Sequence, residues 1–141
     1  MRENSKSSVL NKRPQWSVRL PVDGHYANLR HVGNLEFSRL FQDARSAFTR
    51  YLTANLRAEE HFNEQLIVHI DMDFHSEVLW TTELEIFVRT ARIGLSSYEV
   101  ELTVWHDAEI AVRCKTVSVC MEAGMPVPIT DQARILLMAQ T

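Results

Sequence analysis

The chain has 141 residues, of which 45% are hydrophobic and 23% charged, and its formal net charge is −3. This length suits one domain, and the composition is that of an ordinary globular protein. A negative net charge gives no general attraction to nucleic acid, and no apolar run approaches the roughly 20 residues of a membrane span. We therefore expect neither nucleic acid nor a membrane as a partner.

The two cysteines, Cys114 and Cys120, lie six positions apart in a segment with the pattern of a single strand. At about 3.3 Å per residue they are separated by roughly 20 Å, which is too far for a disulfide. We expect two buried thiols that behave as small hydrophobic side chains, and we expect the protein to work in the reducing cytoplasm.

The first part of the chain predicts a tail and a strand. Residues 1–14 are polar and lack periodicity, so we predict a flexible tail followed by a single domain over residues 15–141. The domain begins with an alternating stretch, which predicts a short strand ended by Pro21. Its inward face carries Trp16, Val18 and Leu20.

The clearest helix follows the loop D-G-H-Y-A-N-L-R-H-V-G-N. Apolar residues recur there at spacings of three and four, so they form one continuous stripe. We predict that Asn34 caps this helix and that Glu36 places an acid in its first turn, where the helix dipole favours negative charge. The stripe consists of Phe37, Leu40, Phe41, Ala44, Ala47, Phe48, Tyr51 and Leu52.

The period then changes from 3.6 to 2, which predicts four long strands. In the first, L-I-V-H-I-D-M-D-F-H, we expect one face to carry Leu66, Val68, Ile70, Met72 and Phe74. The next three are connected by short turns, so we expect them to be antiparallel neighbours in sequence order. After G-M-P-V-P, we predict a short last helix capped by Thr130.

These elements predict an α+β fold. A long central helix is wrapped by a curved antiparallel five-stranded sheet, and a short C-terminal helix completes the domain. Long apolar edge strands favour pairing with a second copy, so we expect a homodimer, with further pairing into a tetramer left open.

Four potential metal ligands alternate along the strand that begins near residue 66: His69, Asp71, Asp73 and His75. Neighbouring members are about 6.6 Å apart and the outer two about 20 Å apart, so one ion could reach two of them at most. We interpret them as a polar strand face. No phosphate-binding loop or dinucleotide fingerprint is present, and we expect neither a metal nor a cofactor.

Three motifs resemble those of one family. The unit R-H-V-G-N-L-E-F-S-R-L-F-Q-D-A-R is similar to the loop and helix start of the hot-dog-fold acyl-CoA thioesterases, the 4-hydroxybenzoyl-CoA thioesterase-like group. The run R-T-A-R-I-G-L-S-S-Y-E-V-E-L resembles that family's strand reversal, and G-M-P-V-P-I-T-D-Q-A-R-I-L-L resembles its ending. The resemblance covers about residues 16–138 and implies a hot-dog fold and an acyl-CoA as the partner.

The catalytic loop departs from the family pattern. In many members the loop reads Asp-x-Asp-x-x-Gly-His-Val, and the second Asp acts as base or nucleophile. This chain has His25 at the first Asp, Ala27 at the second and Arg30 at the glycine. The nearest acid is Asp23, and the plant acyl-carrier-protein thioesterases use an Asp, an Asn and a His in this loop. The catalytic candidates are therefore Asp23, His25, Asn28, His31 and Asn34. We expect Asp23 or His25 to replace the missing carboxylate as base, and His31 and Asn34 to orient the water or the substrate.

The start of the helix suggests how those side chains would act. Its free N–H groups and positive dipole end favour an oxyanion, and Gly33 lets a ligand approach the backbone. In acyl transfer this would polarise the thioester carbonyl. The resemblance also implies CoA contacts near the strand reversal, at Arg89, Arg92, Ser96 and Ser97.

Two functions from different classes follow. The first is hydrolysis of an acyl-CoA thioester at the loop before the helix. The second is a non-catalytic hot-dog protein that binds an acyl or aromatic ligand at the subunit interface, since the usual carboxylate position is Ala27. A screen against acyl-CoAs of different kinds distinguishes them.

Overall fold

The computed structural model describes residues 12–24, 30–54, 56 and 64–141. Most of the predicted tail, residues 1–11, lies outside the described residues. The elements of the described part are β1 (Trp16–Pro21), α1 (Asn34–Thr53), β2 (Glu64–Phe74), β3 (Glu83–Ile93), β4 (Ser97–His106), β5 (Glu109–Glu122), β6 (Met125–Pro126) and α2 (Asp131–Met138).

The strands form one antiparallel sheet in the order β1-β3-β4-β5-β2, with β6 paired to β5. The predicted α+β class is confirmed, and so is the predicted adjacency of β3, β4 and β5. The two-residue β6 is an addition to the five predicted strands. β2 does not pair with β3, which follows it in sequence, and lies instead at the edge beside β5.

Helix α1 packs against β1, β3 and β4. The predicted apolar stripe is confirmed in its main members, because Phe37, Leu40, Phe41, Phe48 and Leu52 are all buried. Tyr51, which we also placed in the stripe, is half exposed. It lies at the margin of the core, where its ring is 5.5 Å from that of Trp16 in β1.

The predicted phase of β2 is wrong at its start. The pairing with β5 shifts between Ile67 and His69, which leaves Val68 as an extra residue in a bulge. Leu66 therefore pairs with Val119 on the outer face, while Ile67 joins the inward-facing set. Strict alternation cannot reveal a bulge, because one extra residue exchanges the two faces. From Ile70 to Phe74 the prediction holds.

The two helix starts differ in their caps. Gly33 occupies the N-cap position of α1, and no side chain among the described residues caps that helix. The prediction that Asn34 is the cap is therefore wrong, because Asn34 is the first helical residue. In α2 the predicted cap is confirmed, since the Thr130 hydroxyl accepts a hydrogen bond from the N–H of Ala133 at 3.2 Å.

Both cysteines are buried and unpaired, as predicted. Burial raises the pKa of Cys114 to about 11 and also raises the pKa of Cys120. Neither helix of the described part is long and apolar enough to cross a membrane.

Candidate active site

A cavity of about 490 Å³ opens at the N-terminus of α1. Its walls come from the chain that enters the helix, from the first helical turn, and from the segment that follows β2. The lining includes His31, Gly33, Asn34, Phe37, Phe74 and Glu77. This volume lies within the range of about 300–1,000 Å³ that is usual for small-molecule sites.

A short pairing between two irregular segments builds the rim of this cavity. The N–H of Val32 donates to the carbonyl of Val78 at 2.8 Å, and the N–H of Trp80 donates to the carbonyl of Arg30 at 2.8 Å. Val32 and Val78 are buried beneath the pairing. The fixed backbone therefore holds the neighbouring side chains, His31 and Glu77, at the cavity.

Arg30 has a left-handed backbone conformation, with φ of 70°. The resembling family has glycine at this position, and glycine adopts such a φ without steric cost. A side chain there costs about 1–3 kcal/mol unless the surroundings compensate. The hydrogen bond from Trp80 to the Arg30 carbonyl supplies part of that compensation.

His31 and Glu77 form a pair at the cavity rim. The His31 Nδ1 and the Glu77 Oε2 are 3.4 Å apart, and both side chains are more than half exposed. This separation is longer than an ordinary hydrogen bond, and an exposed pair contributes only about 0–1 kcal/mol to stability. The pair therefore contributes little to the stability of the fold, whereas its position at the cavity rim would allow it to take part in proton transfer.

The start of α1 presents uncapped backbone N–H groups beside this pair. Gly33 has extended φ and ψ angles of −89° and 171°, and its carbonyl accepts the N–H of Phe37 at 3.0 Å. A Cβ at Gly33 would meet no atom within 4 Å, so neither backbone strain nor crowding within the described part requires glycine there. A ligand that approaches the backbone at the helix start would be a physical reason for glycine at this position, because glycine has no side chain to obstruct it.

Asp23 lies on a different side of the helix start. It borders a separate hollow with Leu35, Glu36 and Arg39. Its N–H donates to the Glu36 Oε2 at 2.7 Å, and its carbonyl accepts from the Trp80 Nε1 at 3.2 Å. These bonds anchor the end of β1 to α1, and Asp23 does not line the cavity that holds His31.

Glu36, predicted in the first turn of α1, is there and is only 5% exposed. Both of its oxygens accept hydrogen bonds from the Arg39 guanidinium, at 2.9 and 2.5 Å. These bonds lower the pKa of Glu36, against the opposing effect of burial. A buried carboxylate occupied in this way holds the helix start in place.

The predicted site residues are therefore separated into groups. His31, Gly33 and Asn34 lie together at the cavity, and Asp23 lies apart from them. His25 and Asn28 lie outside the described residues, so their predicted roles stay predictions. Glu77 was missed because its segment shows no regular period. Only the pairing with residues 30–32 brings it to the site.

The predicted CoA-contacting residues lie at the far end of the same chain's sheet. Glu83, at the start of β3, pairs with Pro21, whose carbonyl accepts a hydrogen bond from Arg39 near the start of α1. Arg92 is nine residues, or roughly 30 Å, further along the strand. Arg89 is engaged by Glu101, with Nε and Oε1 2.9 Å apart. The carbonyls of Ser96 and Ser97 accept hydrogen bonds within the sheet end from the N–H groups of Cys120 and Gly94.

The alternating histidine and aspartate side chains in and just after β2 do not come together as a set of metal ligands. Asp71 and Asp73 pair with successive outward positions of β5, and His75 lies beyond the end of β2, where its N–H donates to the Ala111 carbonyl at 2.8 Å. Within the described ranges no group of three or more His, Cys, Asp or Glu side chains could hold a metal ion.

No family model and no curated protein sequence matches the chain, whereas several solved structures do. A thioesterase from Thermus thermophilus, crystallised with coenzyme A and zinc, is 26% identical; the alignment covers 88% of this chain and 92% of that chain with a TM-score of 0.71. A thioesterase-superfamily protein from Jannaschia sp. CCS1 is 15% identical over 98% and 90% of the two chains, with a TM-score of 0.75. The dynemicin thioesterase is 18% identical over 89% and 96%, with a TM-score of 0.74.

Proposed function

We propose that this chain, which has the hot-dog fold of its thioesterase-superfamily neighbours, hydrolyses an acyl-CoA thioester at the start of α1. The predicted fold is thereby confirmed. The observation that carries the proposal is the His31–Glu77 pair beside the uncapped helix N-terminus, in one cavity. The Thermus thermophilus thioesterase, crystallised with coenzyme A, supports a CoA ester as the substrate.

In the proposed reaction, the thioester carbonyl oxygen lies against the N–H groups at the start of α1. Water attacks the carbonyl carbon, and negative charge develops on the oxygen. The helix N-terminus stabilises that charge through hydrogen bonds and its dipole. Gly33 lets the carbonyl approach, and the Asn34 side chain orients the water or the carbonyl.

The base in this proposal is His31. Glu77 accepts a hydrogen bond from Nδ1–H, so that Nε2 is free to take the proton from water. Such contacts are often long without a substrate and shorten when the substrate binds. The tetrahedral intermediate then collapses, the carbon–sulfur bond breaks, and the histidine returns its proton to the CoA thiolate. The products are a free acid and CoA.

We also propose that two copies pair through β2. Its outer edge has no partner strand in the described sheet, and it carries Leu66 and Val68, each more than half exposed. Long unpaired apolar edges favour such pairing. A two-fold axis would place antiparallel copies of β2 together. In such a dimer, Arg92 of one subunit would lie nearer the start of α1 in the other subunit, as the predicted CoA contacts require.

The proposal is tested by screening the purified protein against short, medium, long and aromatic acyl-CoAs with a thiol-reactive dye. On the best substrate, His31→Ala and Glu77→Gln should each lower kcat/KM by at least about 100-fold, the lower figure for a positioned acid or base. Glu99→Gln, which changes a carboxylate on the outer face of β4, is the matched control and should retain activity.

Asp23→Asn distinguishes the two sides of the helix start. If it reduces kcat/KM more than His31→Ala does, the base lies with Asp23 and the assignment to His31 is wrong. Binding of acyl-CoA without hydrolysis of any substrate would favour the alternative, a non-catalytic protein that holds an acyl or aromatic ligand at its subunit interface.

A further inference from the structure

A second cavity, of about 380 Å³, lies between the later turns of α1 and the inner face of the sheet. The inward positions of β5 carry small side chains, of which Ser118 lines the cavity, whereas β3 has the larger Leu84, Ile86 and Val88 at inward positions. The small residues are Cys114, Thr116, Ser118 and Cys120. Side chains of this size leave part of the space between the sheet and α1 unfilled.

The walls of this cavity combine apolar groups, neutral polar groups and two arginines of α1, the half-buried Arg45 and the exposed Arg50. Phe48, Ile67 and Val100 supply the apolar part. The Tyr98 hydroxyl donates to the Gln65 Oε1 at 2.7 Å and shares hydrogen bonds with Thr49 and Ser118. Burial raises the pKa of Tyr98 to about 12, so its hydroxyl is neutral at pH 7 and remains a hydrogen-bond donor.

Arg45 brings a positive charge to the cavity without a matching carboxylate. Arg39 and Arg89 each pair with an acid, whereas Arg45, which is half-buried, has no ion-pair partner in the part of the chain that the structure describes. Burial lowers the pKa of Arg45. An unpaired cation in such a place is unfavourable and calls for an anion.

We propose that this cavity binds the carboxylate at the far end of an acyl group, so that the preferred substrates are CoA thioesters of dicarboxylic acids. A guanidinium holds a carboxylate with two parallel hydrogen bonds, and the apolar walls suit the methylene groups before it. This inference rests on the proposed function and extends it to the class of acyl group.

The inner face of β2 contributes to both cavities, because Ile67 lines the cavity beside Arg45 and Phe74 lines the cavity at the helix start. Asn34 and Arg45 are eleven residues apart on α1, which separates them by about 16 Å along the helix axis. The inner face of β2 runs alongside, with Ile70 56% and Phe74 51% exposed. An acyl chain lying there would keep its thioester at His31 and its other end at Arg45, so longer diacids should fit best.

The first measurement compares kcat/KM for pairs of substrates matched in chain length, from hexanoyl-CoA and adipoyl-CoA to hexadecanoyl-CoA and its ω-carboxylated counterpart. We expect the wild type to prefer the carboxylated member by at least about 10-fold at the best length, as for one charge-assisted contact. Arg45→Met should abolish that preference and leave the unsubstituted member within about three-fold.

Two variants serve as controls. Arg45→Lys keeps the charge without the planar fork and should retain part of the preference, which a role in packing alone would not predict. Arg19→Gln changes an exposed arginine of β1 outside the cavity and should leave the preference unchanged. Circular dichroism and thermal melts confirm that each variant is folded.

The outcomes separate this inference from the proposed function. Hydrolysis without preference for the carboxylated member, or a preference that survives Arg45→Met, overturns the inference and leaves the thioesterase proposal standing. If nothing is hydrolysed, the thioesterase proposal fails, and calorimetry with hexadecanedioate and hexadecanoate decides the inference. The inference is supported if hexadecanedioate binds more tightly than hexadecanoate and Arg45→Met removes the difference. Equal binding of the two acids, or no binding of either, overturns the inference.

Discussion

Replacing Phe41 by alanine tests the packing of α1 on the sheet. The Phe41 side chain is 1% exposed, and its ring stacks on that of Phe37 with the centroids 5.7 Å apart. Truncation removes the transfer free energy of a buried ring and leaves a cavity, which together cost about 3–5 kcal/mol. The loss of the ring pair contributes part of that value, since such pairs add about 0.5–1.5 kcal/mol.

Urea denaturation followed by circular dichroism measures this loss. With a slope of about 1–3 kcal/mol per M in urea, the unfolding midpoint should fall by about 1 M or more. Protein concentration is held constant, because the proposed dimerisation would make stability concentration-dependent. Gln42→Ala, at the exposed neighbouring position, should change the free energy of unfolding by less than about 0.5 kcal/mol. Equal losses at the two positions would refute the helix orientation.

Three further predictions concern the buried acid of α1, the cap of α2 and a buried thiol. Hydrogen bonds from Arg39 lower the pKa of Glu36 below its ordinary value of 4.5. The ionised Glu36 therefore stabilises the fold above pH 4.5, and this contribution is lost as the pH falls through the folded-state pKa. Glu36→Gln should therefore lower the urea midpoint at pH 7 and flatten its dependence on pH below about 4.5, and an unchanged pH dependence would contradict this. Thr130→Ala should cost about 0.5–2 kcal/mol through loss of the α2 cap, while Thr130→Ser should restore most of it. Because Cys114 is fully buried, its thiol should react with a thiol reagent at pH 8 only when the chain opens, and its pKa, which burial raises to about 11, slows the reaction further. Rapid labelling of the native protein would show that the thiol is accessible.

The fold could be predicted from periodicity where a single period extends over many residues. The stripe of α1 and the alternation of β3, β4 and β5 each repeat often enough to fix which face is buried. β2 was harder, because the bulge at Val68 reverses the alternation without changing the composition. The predicted cap of α1 was wrong because Asn34 and Gly33 are both acceptable N-cap residues, so residue type alone does not distinguish them.

The candidate site was only partly predictable. The loop motif identified His31, Gly33 and Asn34, since a helix start with free N–H groups is a local feature of the sequence. Glu77 is 46 positions from His31 and joins it only through the pairing of two irregular segments. Arg45 was hidden for a related reason. Within the described ranges no acid pairs with Arg45, and this depends on which side chains the sheet places opposite the helix.

The central claim is that His31 acts as the base for thioester hydrolysis at the start of α1. The most direct test is kcat/KM of His31→Ala on the best acyl-CoA, measured beside wild type with folding confirmed by circular dichroism. We predict a loss of at least about 100-fold. A folded His31→Ala variant with wild-type kcat/KM would contradict this claim and place the chemistry elsewhere.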